Sequence, residues 1–252
     1  MNINVMSFED RMDLKQKQLM MFLEALQNEY QASGKGGVNL LGLTIERKTI
    51  RKYKEVVAGN NSVRFEWGNR NIQDGETFLD NSDAFMPVGI GIGFAKSIAI
   101  DTNQTPIANT VIYYYPDKFV FDSTAVATSP PEWAALQSYY WGQWQLNVND
   151  KTVITELHGE RTLKPAQVQQ YENAAAYPYN QWEKFAWLYN TPLLDGNKSI
   201  TLLNKPVATA DTQNAAGESG EINYIVQDVE GFVVKDMSTA MNALNETYYF
   251  VK

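Results

Sequence analysis

The sequence contains no cysteine and a single histidine. Without thiols there is no disulfide framework, no cysteine-ligated zinc site and no thiolate nucleophile. The lone His158 has no second imidazole to share a metal, and no Gly-x-Ser-x-Gly elbow exists to complete a hydrolase triad. Its setting between Leu157 and Gly159 is a turn, which favours a solvent-exposed ring over a catalytic one. Long apolar runs are missing too: none approaches the roughly 18 residues that cross a bilayer. The longest early run, Leu19 to Leu23, is too short for a signal-peptide core and stops at Glu24. The expectation is a soluble chain made in the cytoplasm. Basic charge is scarce, with 21 Lys and Arg against 29 Asp and Glu, a formal net charge of −8. Nucleic-acid backbones demand clustered cations, so direct nucleic-acid binding is not expected. The densest basic stretch, Arg47 to Lys54, holds five cations in eight residues and reads as the solvent face of a strand.

Aromatics, by contrast, are plentiful: 6 Trp, 14 Tyr and 11 Phe in 252 residues. Rings of this size dominate β cores and protein interfaces. The N-terminal region has a helical period. Ser7 is placed to cap it, Glu9 and Asp10 complement the helix dipole, and Phe8, Met12, Leu19, Leu23, Leu26 and Tyr30 recur at spacings of three or four around one skipped turn. Gly34, Gly36 and Gly37 end the pattern. Burying six such side chains is worth roughly 9–18 kcal/mol before entropy, so the helix needs a partner surface. The glycines after it read as a tether, which makes residues 1–37 a helical arm with no partner inside its own chain.

Beyond Val38 the period changes to alternation. Strands are predicted at Val38–Ile45, with the basic segment extending to Val57, and at Ser62–Trp67, Val88–Ile100 and Ile107–Tyr115. Others fall at Lys118–Phe121, Gln143–Asn149, Lys151–Leu157, Ser199–Leu203, Ile222–Val226, Gly231–Lys235 and Thr247–Val251. Ser129-Pro130-Pro131-Glu132 opens a short helix to about Tyr140. Two more short helices fit Lys164 to Asn190, and Thr209 to Gly220 reads as an exposed polar loop. A dozen strands exceed the seven to nine or so of one sandwich. The count therefore predicts a mainly β protein made of two consecutive β units, 38–135 and 136–252, with short helical insertions.

Candidate chemistry is thin. Gly89-Ile90-Gly91-Ile92-Gly93-Phe94-Ala95-Lys96 has alternating glycines, but its lysine comes too late for a phosphate loop and its context is extended. It reads as a strand with one apolar face and one bare face that something approaches closely. Asp150 with Glu156, or Glu156 with Glu160, supplies a pair for a glycosidase-like arrangement, a proximity that 29 acids produce by chance, and Asp228, Glu230 and Asp236 supply oxygens for calcium without EF-hand spacing. No catalytic residue, cofactor or metal is predicted.

The plan of the chain resembles the double jelly-roll major capsid proteins of tailless, membrane-containing icosahedral bacteriophages. An amphipathic N-terminal helix precedes two jelly-roll-sized β units, and Tyr140 to Lys151 is similar to strand-turn segments of such coats. The resemblance implies a double jelly roll and a homotrimer forming a pseudo-hexagonal capsomer in a virion lattice, made in the host cytoplasm. It also implies contact with minor capsid or vertex proteins. Phe8, Met12, Leu19, Leu23, Leu26 and Tyr30 would then meet neighbouring subunits or, peripherally, an internal membrane. Residues 1–37 hold five acids and four cations, a balance unlike the cationic face that anionic lipid attracts. Two other readings stand beside it: a carbohydrate-binding or carbohydrate-cleaving β-sandwich, with exposed tryptophans in a groove, and a viral spike or fibre-base protein.

Overall fold

A computed structural model describes residues 8–34, 39–68, 76–98, 111–158, 185–188, 191–207, 212–218, 220–243 and 248–251. The described residues are mainly β, with two antiparallel sheets and few helices. Helix α1 spans Phe8–Ala32. Strands β1 (Ile45–Glu55), β2 (Val63–Glu66) and β3 (Ala84–Ile98) follow, then helix α2 (Glu132–Tyr140). The hairpin β4 (Gln143–Val148) and β5 (Lys151–His158) precedes β6 (Phe185–Trp187), β7 (Thr191–Asp195) and β8 (Ile200–Lys205). The long β9 (Glu221–Val234), helix α3 (Ser238–Ala243) and β10 (Tyr248–Val251) complete the order.

One sheet runs β1-β9-β3-β7-β10, with β6 also paired to β3; the other runs β2-β8-β4-β5. The pairs nest. β4 pairs β5, β3 pairs β7, β2 pairs β8 and β1 pairs β9, all antiparallel. Each sheet therefore takes strands from both sides of residue 135, and the boundary between 38–135 and 136–252 does not separate two sets of paired strands. An apolar core lies between the sheets, with Phe65, Phe85, Ile92, Trp144, Leu146, Leu202 and Val229 among its members.

Strands β2 and β4 of the smaller sheet obey simple alternation. Val63, Phe65, Trp144, Leu146 and Val148 are buried, while Arg64 and Glu66 are exposed. Asn149 and Asp150 take left-handed φ values of 47° and 63°, the conformation a two-residue hairpin needs and one these side chains tolerate. Strand β3 changes parity. Its register against β9 slips between Pro87 and Gly89, where proline has no N–H for the ladder. Phe85 points into the inter-sheet core before the slip; Ile90, Ile92 and Phe94 do so after it.

A second apolar cluster covers the other face of the larger sheet. Met12, Leu19, Leu23, Leu26 and Tyr30 of α1 pack with Met86, Val88, Leu193, Phe232, Val234, Val251 and, from α3, Ala240 and Met241. The helix forms a third layer on its own chain. The tether of Gly36 and Gly37, the cap Ser7 and the side chain of Phe8 lie outside the described residues.

Other departures have local causes. The strand predicted from Val38 begins only at Ile45: Leu40–Gly42 is a 3-10 turn capped by Asn39, and the Leu40 N–H donates to Gln27 Oε1 at 2.6 Å. Residues 111–115 make one bridge, Phe94 to Tyr113, instead of a strand, and 118–121 form turns. Helix α2 begins at Glu132 with Pro131 as its cap, so Ser129 lies outside it. Phe185–Trp187 is a strand against Gly89–Gly91, where a helix is expected. Within the predicted exposed loop Thr212, Asn214 and Ala215 are buried, while Gln213, Glu218 and Gly220 are exposed. The helix predicted from Lys164 lies outside the described residues.

Candidate functional site

Two buried acids lie on the outer face of the larger sheet. Alternation along β9 sends Asp228 and Glu230 to the same face as Val226 and Phe232, and both acids are buried. Carboxylates there require cations. β1 supplies them, because Arg47 and Arg51, four apart, share one face of an extended chain. Arg51 sits directly opposite Asp228 in the ladder and grips it with two bonds, Nε to Oδ1 at 2.6 Å and Nη2 to Oδ2 at 2.9 Å. Arg47 reaches diagonally, Nε to Glu230 Oε1 at 2.5 Å, and its Nη1 donates to Glu9 Oε2 at 3.0 Å in the first turn of α1. Tyr114 donates its O–H to Asp228 Oδ2 at 3.2 Å.

The electrostatics follow from this geometry. The Asp228 hydrogen bonds hold the Arg51 guanidinium above its ordinary value against burial. Burial lowers Arg47, and Glu230 with Glu9 more than offset it. Burial, then the Asp228 charge, pushes Tyr114 well above the usual phenol range; burial raises Tyr53 as well. Both arginines and both phenols therefore stay protonated at neutral pH. The row fastens the first turn of α1 to the sheet through Arg47 and Glu9.

A second polar cluster sits between the sheets. Glu132, fully buried at the start of α2, accepts from Lys96 Nζ at 2.9 Å and from the Ser123 N–H and O–H at 3.1 and 2.8 Å. Asn223 donates to its other oxygen, and Glu221 takes a second Lys96 bond at 2.9 Å. Burial opposes the Lys96 charge, but the two carboxylates outweigh it and raise its pKa, so the amine stays protonated and non-nucleophilic at neutral pH.

The candidates read from the sequence scatter. Asp228 and Glu230 are held by arginines, while Asp236 belongs to a separate cluster in which its N–H donates to Asp83. Among the described residues no group of three or more His, Cys, Asp or Glu side chains converges on a metal-sized site. Asp150 is a hairpin-turn residue; the side chains of Glu156 and His158, and all of Glu160, lie outside the described residues. The glycine strand keeps its apolar face in the core, and its bare face is approached closely: a Cβ at Gly93 would lie 2.6 Å from Ile112 Cγ2. The basic stretch is no simple solvent face, since Arg47 and Arg51 engage buried acids and Lys52, itself buried, bonds Glu76 at 3.1 Å. Met12, Leu19, Leu23, Leu26 and Tyr30 come together beneath α1, and Tyr30 donates its O–H to Ala240 O at 2.7 Å. Trp67 and Trp144 are core residues and line no groove. The ionic row is not evident from the sequence because Arg51 and Asp228 lie 177 residues apart. The available signal is two acids at alternate positions inside an apolar strand. No family model, curated protein or solved structure matches this chain.

Proposed function

We propose that the chain is a self-assembling viral coat subunit built on a single jelly roll. The observation that carries this is the nested strand order, β1-β9-β3-β7 facing β2-β8-β4-β5. Eight strands wound as a folded-over hairpin, with the chain crossing between sheets, are the arrangement that jelly rolls of capsid and lectin domains share. Strand β10 extends one sheet at its edge, and α1 adds an outer layer. One barrel per chain changes the expected capsomer. Three copies then supply three barrels, so a six-cornered unit takes six chains instead of a pseudo-hexagonal trimer.

A fold alone does not assign function. The charged clusters add weight to a structural role, because Arg47, Arg51, Lys96, Asp228, Glu132 and Glu230 are bound to one another as fasteners of α1 and α2. The partners are further copies in a virion lattice, together with minor capsid or vertex proteins. Contact with an internal membrane, if α1 makes it, is peripheral: no described helix is long and apolar enough to cross one. Electron microscopy of the purified full chain, incubated across salt and concentration, tests the proposal. Rings, capsomers or closed shells are expected. Dispersed small particles under every condition, together with specific glycan binding, would move the assignment to a lectin-like jelly roll.

A further inference from the structure

The buried stripe of α1 uses one side of the helix. On the far side Leu14, Met21 and Ala25 are exposed, and with the half-buried Gln18 they follow at spacings of four, three and four residues, the repeat of a coiled-coil seam. Met21 lies roughly 160° around the helix from the buried Leu19. It is 69% exposed and Leu14 is 38% exposed. We propose that this seam pairs α1 with α1 of a second copy, antiparallel about a two-fold axis.

The charges choose both the occupant and the direction. Asp10, Lys17 and Glu24 run along one border of the seam at seven-residue intervals, alternating in sign. Two antiparallel copies in the register that sets Leu14 against Ala25 and Gln18 against Met21 lay this border against itself reversed. Lys17 of each copy then faces Glu24 of the other, twice by symmetry. A parallel pair instead brings Glu24 beside Glu29 of the other copy and leaves Lys17 opposite Phe22. Lys17 and Glu24 are exposed, and neither takes part in an ion pair among the described residues. A border of alternating sign fits its own reverse; it is not the cationic face that anionic lipid recruits. The contact stands apart from the coat reading: a dimer that builds no shell keeps this contact and removes only that assignment.

The test is sedimentation equilibrium on the full chain, Lys17→Glu, Glu24→Lys and the double variant, at concentrations below the onset of larger particles. The unchanged chain is expected to dimerise reversibly. Each single variant is expected to weaken association about tenfold or more, since both symmetric pairs become repulsive. The double variant restores attraction and returns to within about threefold. Residues 17 and 24 lie about 10 Å apart along one helix, so rescue cannot arise inside a single copy. A monomeric parent chain, unaffected single variants, or a double variant as weak as the singles would each overturn the pairing. So would a monomer that co-sediments with anionic phosphatidylserine vesicles and loses that binding on Met21→Asp, which would make the seam a membrane surface.

Discussion

Arg51 and Asp228 meet at 2.6 Å across 177 residues of sequence. Asp228 is 1% exposed, so its charge depends on the guanidinium and on the Tyr114 hydroxyl. Removing one partner of a buried pair leaves an uncompensated charge, which costs about 3–5 kcal/mol. Arg51→Met is therefore expected to lower Tm by roughly 6–20 °C at about 2–4 °C per kcal/mol. Calorimetry on the variant checks it, and a shift of a degree or less would show that Asp228 is satisfied elsewhere. Buried tyrosines and Lys96 set an alkaline limit. Tyr114, Tyr53 and Tyr139 are raised in the folded chain, all chiefly by burial, and Lys96 is raised by its two carboxylates against burial. Above the ordinary phenol value of about 10 the unfolded chain loses these protons first. The stabilisation is complete below that pH and drains away as pH climbs towards the folded values. Tm is expected to hold steady from pH 7 to 9 on this account and to fall above about pH 10, with Tyr114→Phe flattening the fall. A melt series with tyrosinate absorbance measures both.

Elements differ in how well the sequence announces them, for a physical reason. β2 and β4 belong to the smaller sheet, where inward apolar residues alternate with more exposed ones, so period-two patterning finds them. β7, Thr191–Asp195, is buried at every position and shows no alternation, so pattern reading passes over it. β9 is buried along nearly its whole length for the same reason, and reads as two fragments instead of one strand. Helix α1 is legible as a helix, with a buried stripe where the apolar period puts it. Its partner is not legible, because Met86, Val88, Phe232 and Met241 come from three distant elements. That changes what the helix predicts. Leu23, 1% exposed, should cost about 2–5 kcal/mol on substitution by Ala even in a monomer. A detachable arm would show no such loss. Deleting residues 1–33 should likewise uncover an apolar sheet face and yield an aggregating chain, which light scattering would detect.

At the scale of the whole molecule the nesting of pairs decides the account. Strand count alone argued for two barrels, since period-two segments carry no information about which strands pair. The first-with-ninth and second-with-eighth pairing joins strands from the two halves of the chain in both sheets. Residues 38–135 and 136–252 expressed separately are each expected to be unfolded by circular dichroism and amide exchange dispersion. Two independently folded halves would restore the two-barrel plan. The proposed function requires that one chain make one barrel and that barrels assemble. Sedimentation velocity of the purified full chain, swept through concentration and ionic strength, addresses it most directly. The account predicts discrete oligomers giving way to large closed particles; a boundary that never passes the dimer at any condition contradicts it.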